Sequence, residues 1–167
     1  MQLIRCTKKL LVELGLGEAG LYSGVEPGAV LGAWYANLIF IDRKKCLLFA
    51  NEKTLVNFLV VDVSRKDLRE RLPEIFRENW RRLLVYEGFS AAAVQAFLVD
   101  CDQFVYARTQ SKQVLGCMND MALNYRWLHW DGKSLDEAIS DINDTPYGKI
   151  FPMDELKALV KNTIQSP

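Results

Sequence analysis

Between Trp34 and Val63 the chain reads as three strand-forming runs separated by short polar breaks. This stretch constrains the fold more than any other. Trp34 to Asp42 is rich in aromatic and branched side chains, which suit a pleated, half-buried surface. The tetrad Asp42-Arg43-Lys44-Lys45 suits a hairpin turn, and Cys46 to Ala50 returns as the partner strand. After Asn51-Glu52-Lys53-Thr54, the run Leu55 to Val63 supplies a third strand. Its residues Leu55, Asn57, Leu59, Val61 and Val63 share one face, and Val56, Phe58, Val60 and Asp62 take the other. Apolar residues on both faces predict a central strand covered, at least in part, from both sides.

The flanking segments read mostly as helices. Leu3 to Cys6 is a short first strand, and Thr7 is placed to cap a helix carrying Leu10, Leu11 and Leu14 that Gly15 closes. From Gly15 to Gly32 glycines recur at 15, 17, 20, 24, 28 and 32 with Pro27 among them, so no regular period survives and a long loop is expected. Ser64 and Asp67 resemble a capping box for a helix to Glu87, which Pro73 either kinks or divides. Its buried stripe is Phe76, Trp80, Leu83 and Leu84, and Gly88 is its stop. Ser90 caps a helix through Val94, Phe97 and Leu98, and Gln103 to Thr109 alternates as a strand.

Ser111 opens a long helix to Trp130 with one apolar face through Val114, Leu115, Met118, Met121, Ala122, Tyr125 and Leu128. A second stripe, Leu123, Trp127 and Trp130, makes it central to the core or half of an interface. Ser134 and Glu137 form a capping box for a helix to about Ile142, and residues 143–148 read as a turn. Pro152 introduces a last helix with Leu156, Leu159, Val160 and Ile164 inward. The expected fold class is α+β: a largely antiparallel sheet of about five strands, the meander 34–63 plus strands near 3–6 and 103–109, packed with helices. Nothing in the sequence divides the chain, so residues 1–167 are expected to form a single globular domain.

Composition narrows the function classes. Lys+Arg and Asp+Glu both number 21, so the formal net charge is zero. Proteins that neutralise many phosphates are usually basic, so nucleic acid is not the expected partner. Low net charge gives little colloidal protection, which favours a homo-oligomer, and the 111–130 helix with Leu123, Trp127 and Trp130 is its expected surface. No apolar run reaches the roughly 18 residues of a membrane span, and the first residues lack a signal-peptide layout. Cys6, Cys46, Cys101 and Cys117 are scattered through apolar stretches, as buried thiols in a reducing cytoplasm would be.

Three stretches together carry a resemblance. Arg5-Cys6-Thr7-Lys8-Lys9-Leu10-Leu11 is the first, and Ala36-Asn37-Leu38 through Asn51-Glu52-Lys53-Thr54-Leu55 the second. The third runs from Arg108-Thr109-Gln110-Ser111 through Leu115-Gly116-Cys117-Met118-Asn119-Asp120. In motifs and order of elements, roughly the first three-quarters of the chain resembles a family of small bacterial proteins built on a domain of unknown function. The resemblance implies a bacterial, cytosolic protein and no particular activity.

Candidate sites follow from residue chemistry. Arg108, Thr109 and Ser111 stand where a strand meets a helix N-terminus, whose free N–H groups and positive dipole end favour an anion. Asn119 and Asp120 lie further along that helix. Simple capping by Ser111, with Asn119 and Asp120 bonding to nearby loops, explains the same residue types without a ligand. Asn51, Glu52 and Lys53 form a polar loop on a rigid sheet, either a binding loop or a solvated turn. The two candidates strengthen each other if they abut. His129 is the only histidine and lacks a metal-ligand spacing, and Cys117 reads as a packed thiol. No cofactor motif or catalytic set is present, so a non-enzymatic binding or assembly module is the expectation. The alternatives are a small-anion or nucleotide-handling enzyme using the 108–120 corner, and a nucleic-acid-associated regulator using the basic helix 65–82.

Overall fold

The computed structural model describes residues 1–164, and their side chains apart from those of residues 129, 130, 163 and 164. The strands β1 (Gln2–Cys6), β2 (Trp34–Ile41), β3 (Lys44–Asn51), β4 (Asn57–Val60) and β5 (Phe104–Arg108) form one open sheet in the order β4-β3-β2-β1-β5. Among the described residues six α-helices accompany it: α1 (Lys8–Leu14), α2 (Arg65–Tyr86), α3 (Ala91–Leu98), α4 (Lys112–Trp130), α5 (Leu135–Asn143) and α6 (Pro152–Ile164). No helix of the described residues is long and apolar enough to cross a membrane.

The meander forms as expected, with sharper limits. Asp42 and Arg43 adopt φ values of 48° and 64°, the left-handed pair of a two-residue hairpin turn whose twist matches its strands. Lys44 and Lys45 therefore belong to β3 rather than to the turn. β4 is shorter than Leu55–Val63 because Leu55 and Asp62 also take positive φ and break the extended run at both ends.

The expectation of a largely antiparallel sheet is corrected. β2–β3 and β3–β4 pair antiparallel, but β1 pairs parallel with both β2 and β5, so the sheet is mixed. The connections explain this. A parallel neighbour needs a crossover of a dozen or more residues, and both the 7–33 and the 61–103 segments are long enough.

Helices cover both faces. Ile4, Trp34, Phe49 and Phe58 point to one side, where Phe76 and Trp80 of α2 interleave with them. Edge-to-face rings at 5.1 Å (Phe49–Phe76) and 5.2 Å (Trp34–Phe76) make this a rigid aromatic centre. The other face carries Leu48, Ala50, Asn57 and Leu59 beneath α4 and α5. Pro73 does not divide α2, which continues through it, and the Ser64–Asp67, Ser134–Glu137 and Ser90 caps all form. Arg82 of α2 binds Asp136 of α5 at 2.7 Å, so the basic and acidic segments meet within one chain.

On α4 the first stripe packs inward, with Met118 and Met121 fully enclosed. Of the second stripe, Leu123 and Trp127 are 52% and 72% exposed. The side chains of Trp130, His129 and Ile164, which figured in the sequence expectations, lie outside the described residues.

Candidate functional site

All five residues of β1 are buried, although one of them is charged. Ile4 and Cys6 face the aromatic centre, so alternation sends Leu3 and Arg5 to the opposite face. There the residues after Gly15 fold over β1 and β5. Tyr22 N–H donates to the Tyr106 carbonyl at 2.7 Å; the far end of the loop is held by side chains of the aromatic-facing register, Gln2 Nε2 to the Gly32 carbonyl at 2.8 Å and Asn51 Nδ2 to the Leu31 carbonyl at 3.0 Å. A Cβ at Gly24 would lie 2.6 Å from the Tyr22 hydroxyl oxygen, so any larger residue there would displace the Tyr22 ring.

Under this loop the Arg5 residue is only 5% exposed. A buried guanidinium needs compensating partners, and three groups surround it. Glu26 Oε2 lies 3.1 Å from Nη2, the Arg108 carbonyl accepts from Nη1 at 3.4 Å, and Glu52 Oε2 stands 4.0 Å from Nε. Nε itself is buried and has no hydrogen-bond partner among the described residues.

A cleft of about 660 Å³ opens beside this group. Leu3, Tyr22 and Ala107 give it apolar walls, Gln110 a polar end, and the Arg108–Glu18 ion pair closes its rim. Its position follows from topology. The chain leaves β1 for β2 on one side and later returns as β5 on the other, so the strand order reverses between β1 and β5. Crevices at the carboxyl ends of strands at such a reversal are where open sheets of this kind bind ligands.

The two loops singled out in the sequence meet here through Arg5. Glu52 and Arg108 both approach it. Asn51 is fully buried and structural: its Oδ1 accepts from Lys53 N–H, Thr54 N–H and the Thr54 hydroxyl, while its amide holds Leu31 and Ala33. Lys53 lays its stem against Gly32, where a Cβ would fall 2.8 Å from Lys53 Cε. Thr109 is partly buried behind Arg108. Ser111 caps α4, accepting from Val114 N–H at 3.2 Å, and its own N–H donates to the Tyr35 hydroxyl. Asn119 and Asp120 are exposed about two turns along α4, and neither lines the cleft.

Residues 3–155, which include Arg5, Glu26, Glu52 and Arg108, match the family described as a domain of unknown function, DUF6933. The chain belongs to that family. No curated protein matches it. The family description assigns no activity, so the chemistry has to be read from the site.

Arg5, Tyr22, Glu26 and Gln110 were not among the residues expected at a site. A signal for Arg5 existed, since it is the one charge inside Gln2–Cys6, but a strand residue of that kind is ordinarily read as facing water. Glu26 had none, because its partner is β1.

The thiols are poor nucleophiles. Burial raises Cys6 to about 12 and Cys101 to about 11, and also raises Cys46 and Cys117. Burial likewise pushes Tyr106 up to about 12. A second cavity, about 300 Å³, lies at the turn end of the β2–β3 hairpin and is lined by Ile41, Cys46, Leu59, Tyr125 and Leu135. Its rim charges include Lys44, paired with Asp62 at 3.6 Å, and Lys133, paired with Asp141. The Arg5 cleft differs in holding a buried donor that the fold leaves unfilled.

Proposed function

We propose that this chain is a non-enzymatic, cytosolic binding module that holds a small anionic molecule in the cleft between β1, β5 and the 15–33 loop, with its acid group on Arg5. The observation that carries this is the Arg5 guanidinium, 94% shielded at its side chain and lining the cleft, with Nε unpaired. An unfilled buried donor costs about 1–3 kcal/mol, which a bound anion recovers in the form of charge-assisted bonds.

A nucleic-acid role for helix 65–82 is disfavoured by the pairing of its cations. Arg65 binds Glu13, Arg71 binds Glu74, Arg77 binds Asp102 and Arg82 binds Asp136. These exposed arginines are matched by carboxylates; Arg5 is paired as well, but it is buried beside a cleft and its Nε carries no hydrogen bond.

The test is a thermal-shift and calorimetric panel of small anions at constant ionic strength. A ligand at 100 times its Kd should stabilise the fold by about 2.7 kcal/mol, and a domain of this size should then melt several degrees higher. Arg5→Lys should abolish the shift, because an ammonium lacks the fork geometry. If no small anion stabilises the wild-type chain, the assignment is wrong.

A further inference from the structure

We propose that the acid group taken by this cleft is a monoanionic carboxylate, and that Glu26 is its tethered stand-in, leaving Arg5 as the ligand arrives. This rests on the reading of the cleft as an anion site and adds the ligand class and the means of entry.

Nε and Nη2 form one edge of the guanidinium, the edge that takes two parallel bonds from a carboxylate. Glu26 fills half of it. Its Oε2 meets Nη2 at 3.1 Å, while Nε stays unpaired, with Glu52 Oε2 beyond hydrogen-bond reach at 4.0 Å. A free carboxylate, not constrained by a loop, can engage both donors.

The charge count selects the ligand. Arg108 is matched by Glu18, which leaves Arg5 facing Glu26 and Glu52. Exchanging Glu26 for another carboxylate keeps that balance. A phosphate dianion would add a negative charge beside Glu52, in a partly desolvated site where like charges repel most. Leu3, Tyr22 and Ala107 would meet the rest of the molecule, which favours a short apolar tail over a second charge.

The loop is built to release Glu26. Tyr22 is anchored on β5, and Val30, Leu31 and Gly32 are anchored on Asp100, Asn51 and Gln2. Between them, Ser23 to Gly28 are tied by two polar contacts among the described residues, Tyr22–Val25 and Glu26–Arg5. Val25 is 90% exposed and the Glu26 side chain 49%. The crown of the loop can therefore lift while both of its ends stay in place.

The experiment follows the Arg5 Nε–H resonance of nitrogen-15-labelled protein during titration with sodium butyrate or sodium phosphate at equal ionic strength. Wild type, Glu26→Gln and Glu26→Ala are compared; the Glu26 side chain is half-exposed and Arg5 keeps Glu52 and the Arg108 carbonyl beside it, so both variants should fold. Butyrate should move the resonance, and Glu26→Ala should bind it about tenfold more tightly, the gain if the internal contact is closed about nine-tenths of the time. Tighter binding of phosphate than of butyrate would overturn the carboxylate class and leave the anion site standing. Equal butyrate affinity in wild type and Glu26→Ala would overturn the stand-in alone. If neither anion moves the resonance in any of the proteins, the anion site falls, and this inference with it.

Discussion

Asn143→Ala should be among the most destabilising single changes in this protein, although the residue lies outside the aromatic centre and the cleft. β4 is an edge strand, and its free side would expose the backbone groups of Asn57. The Asn143 side chain pairs with them as a neighbouring strand would. Asn57 N–H donates to its Oδ1 at 2.9 Å, and its Nδ2 donates to the Asn57 carbonyl at 2.8 Å. The Asn57 side chain adds a bond to Asn143 Oδ1 at 3.2 Å and accepts from the Tyr125 hydroxyl at 2.7 Å. Asn57 and Asn143 are both fully buried. Truncation to alanine strands one backbone donor and one backbone acceptor, each costing about 1–3 kcal/mol, so a loss of about 4 kcal/mol is expected. Urea unfolding followed by far-ultraviolet circular dichroism measures this, and an unchanged m-value would show that the unfolded reference is the same. Tyr125→Phe removes a single bond of the network and should lose only about 1–2 kcal/mol. A loss below about 1 kcal/mol for Asn143→Ala would refute the claim that this amide completes the sheet edge, since so small a value means that the stranded groups find other partners.

Other outcomes follow from the same structure. Hydrogen bonds from Arg65 and Lys45 hold the Glu13 carboxyl down to about 2, so its contribution is complete above the ordinary value near 4.5 and is lost as pH falls toward 2. Glu13→Gln should therefore narrow its stability gap to wild type across that window in urea melts at stepped pH; a constant gap would count against the pairing. With Cys6, Cys46 and Cys101 buried and their thiols raised, a thiol reagent at pH 8 should label them only on unfolding, with Cys117 reacting first; fast native labelling of Cys6 would contradict its burial. Trp127→Glu should change stability by less than about 0.5 kcal/mol, because the side chain is 72% exposed. If copies associate through α4, the same change should shift gel-filtration elution to the monomer, whereas a wild type that is monomeric at high concentration would remove self-association.

Local patterns carried much of the architecture. The Ser64, Ser90 and Ser134 caps, the left-handed Gly15 and Gly88, and the apolar stripe of α4 depend on neighbours within a turn or two, so the residue string predicts them. Strand partners do not work that way. β1 reads as a strand from Leu3 to Cys6, but nothing within it shows that it lies between β2 and β5 and runs parallel to both. Asn143 was lost for a related reason. Its sequence neighbours Asp144, Thr145 and Pro146 are turn-forming, and its partner Asn57 is far away along the chain.

The site shows the same division more sharply. Glu52 and Arg108 were visible as polar residues next to strands, but what joins them is a buried arginine on a third strand, 103 positions before Arg108. Once β1 is central, alternation forces either Arg5 or its neighbours Ile4 and Cys6 into the aromatic layer, and hydrophobic burial settles the matter for Ile4 and Cys6. Arg5 is then left facing the loop, where a cation without partners would be expelled or would demand carboxylates. The glycine-rich loop supplies one in Glu26, and the β3–β4 turn brings Glu52 close. Stability alone would be met more cheaply by a leucine at this position, since well-packed apolar groups often match or exceed a buried ion pair. A charge there with one donor unpaired, beside an open cleft at the strand ends, is the feature on which the proposed ligand site rests.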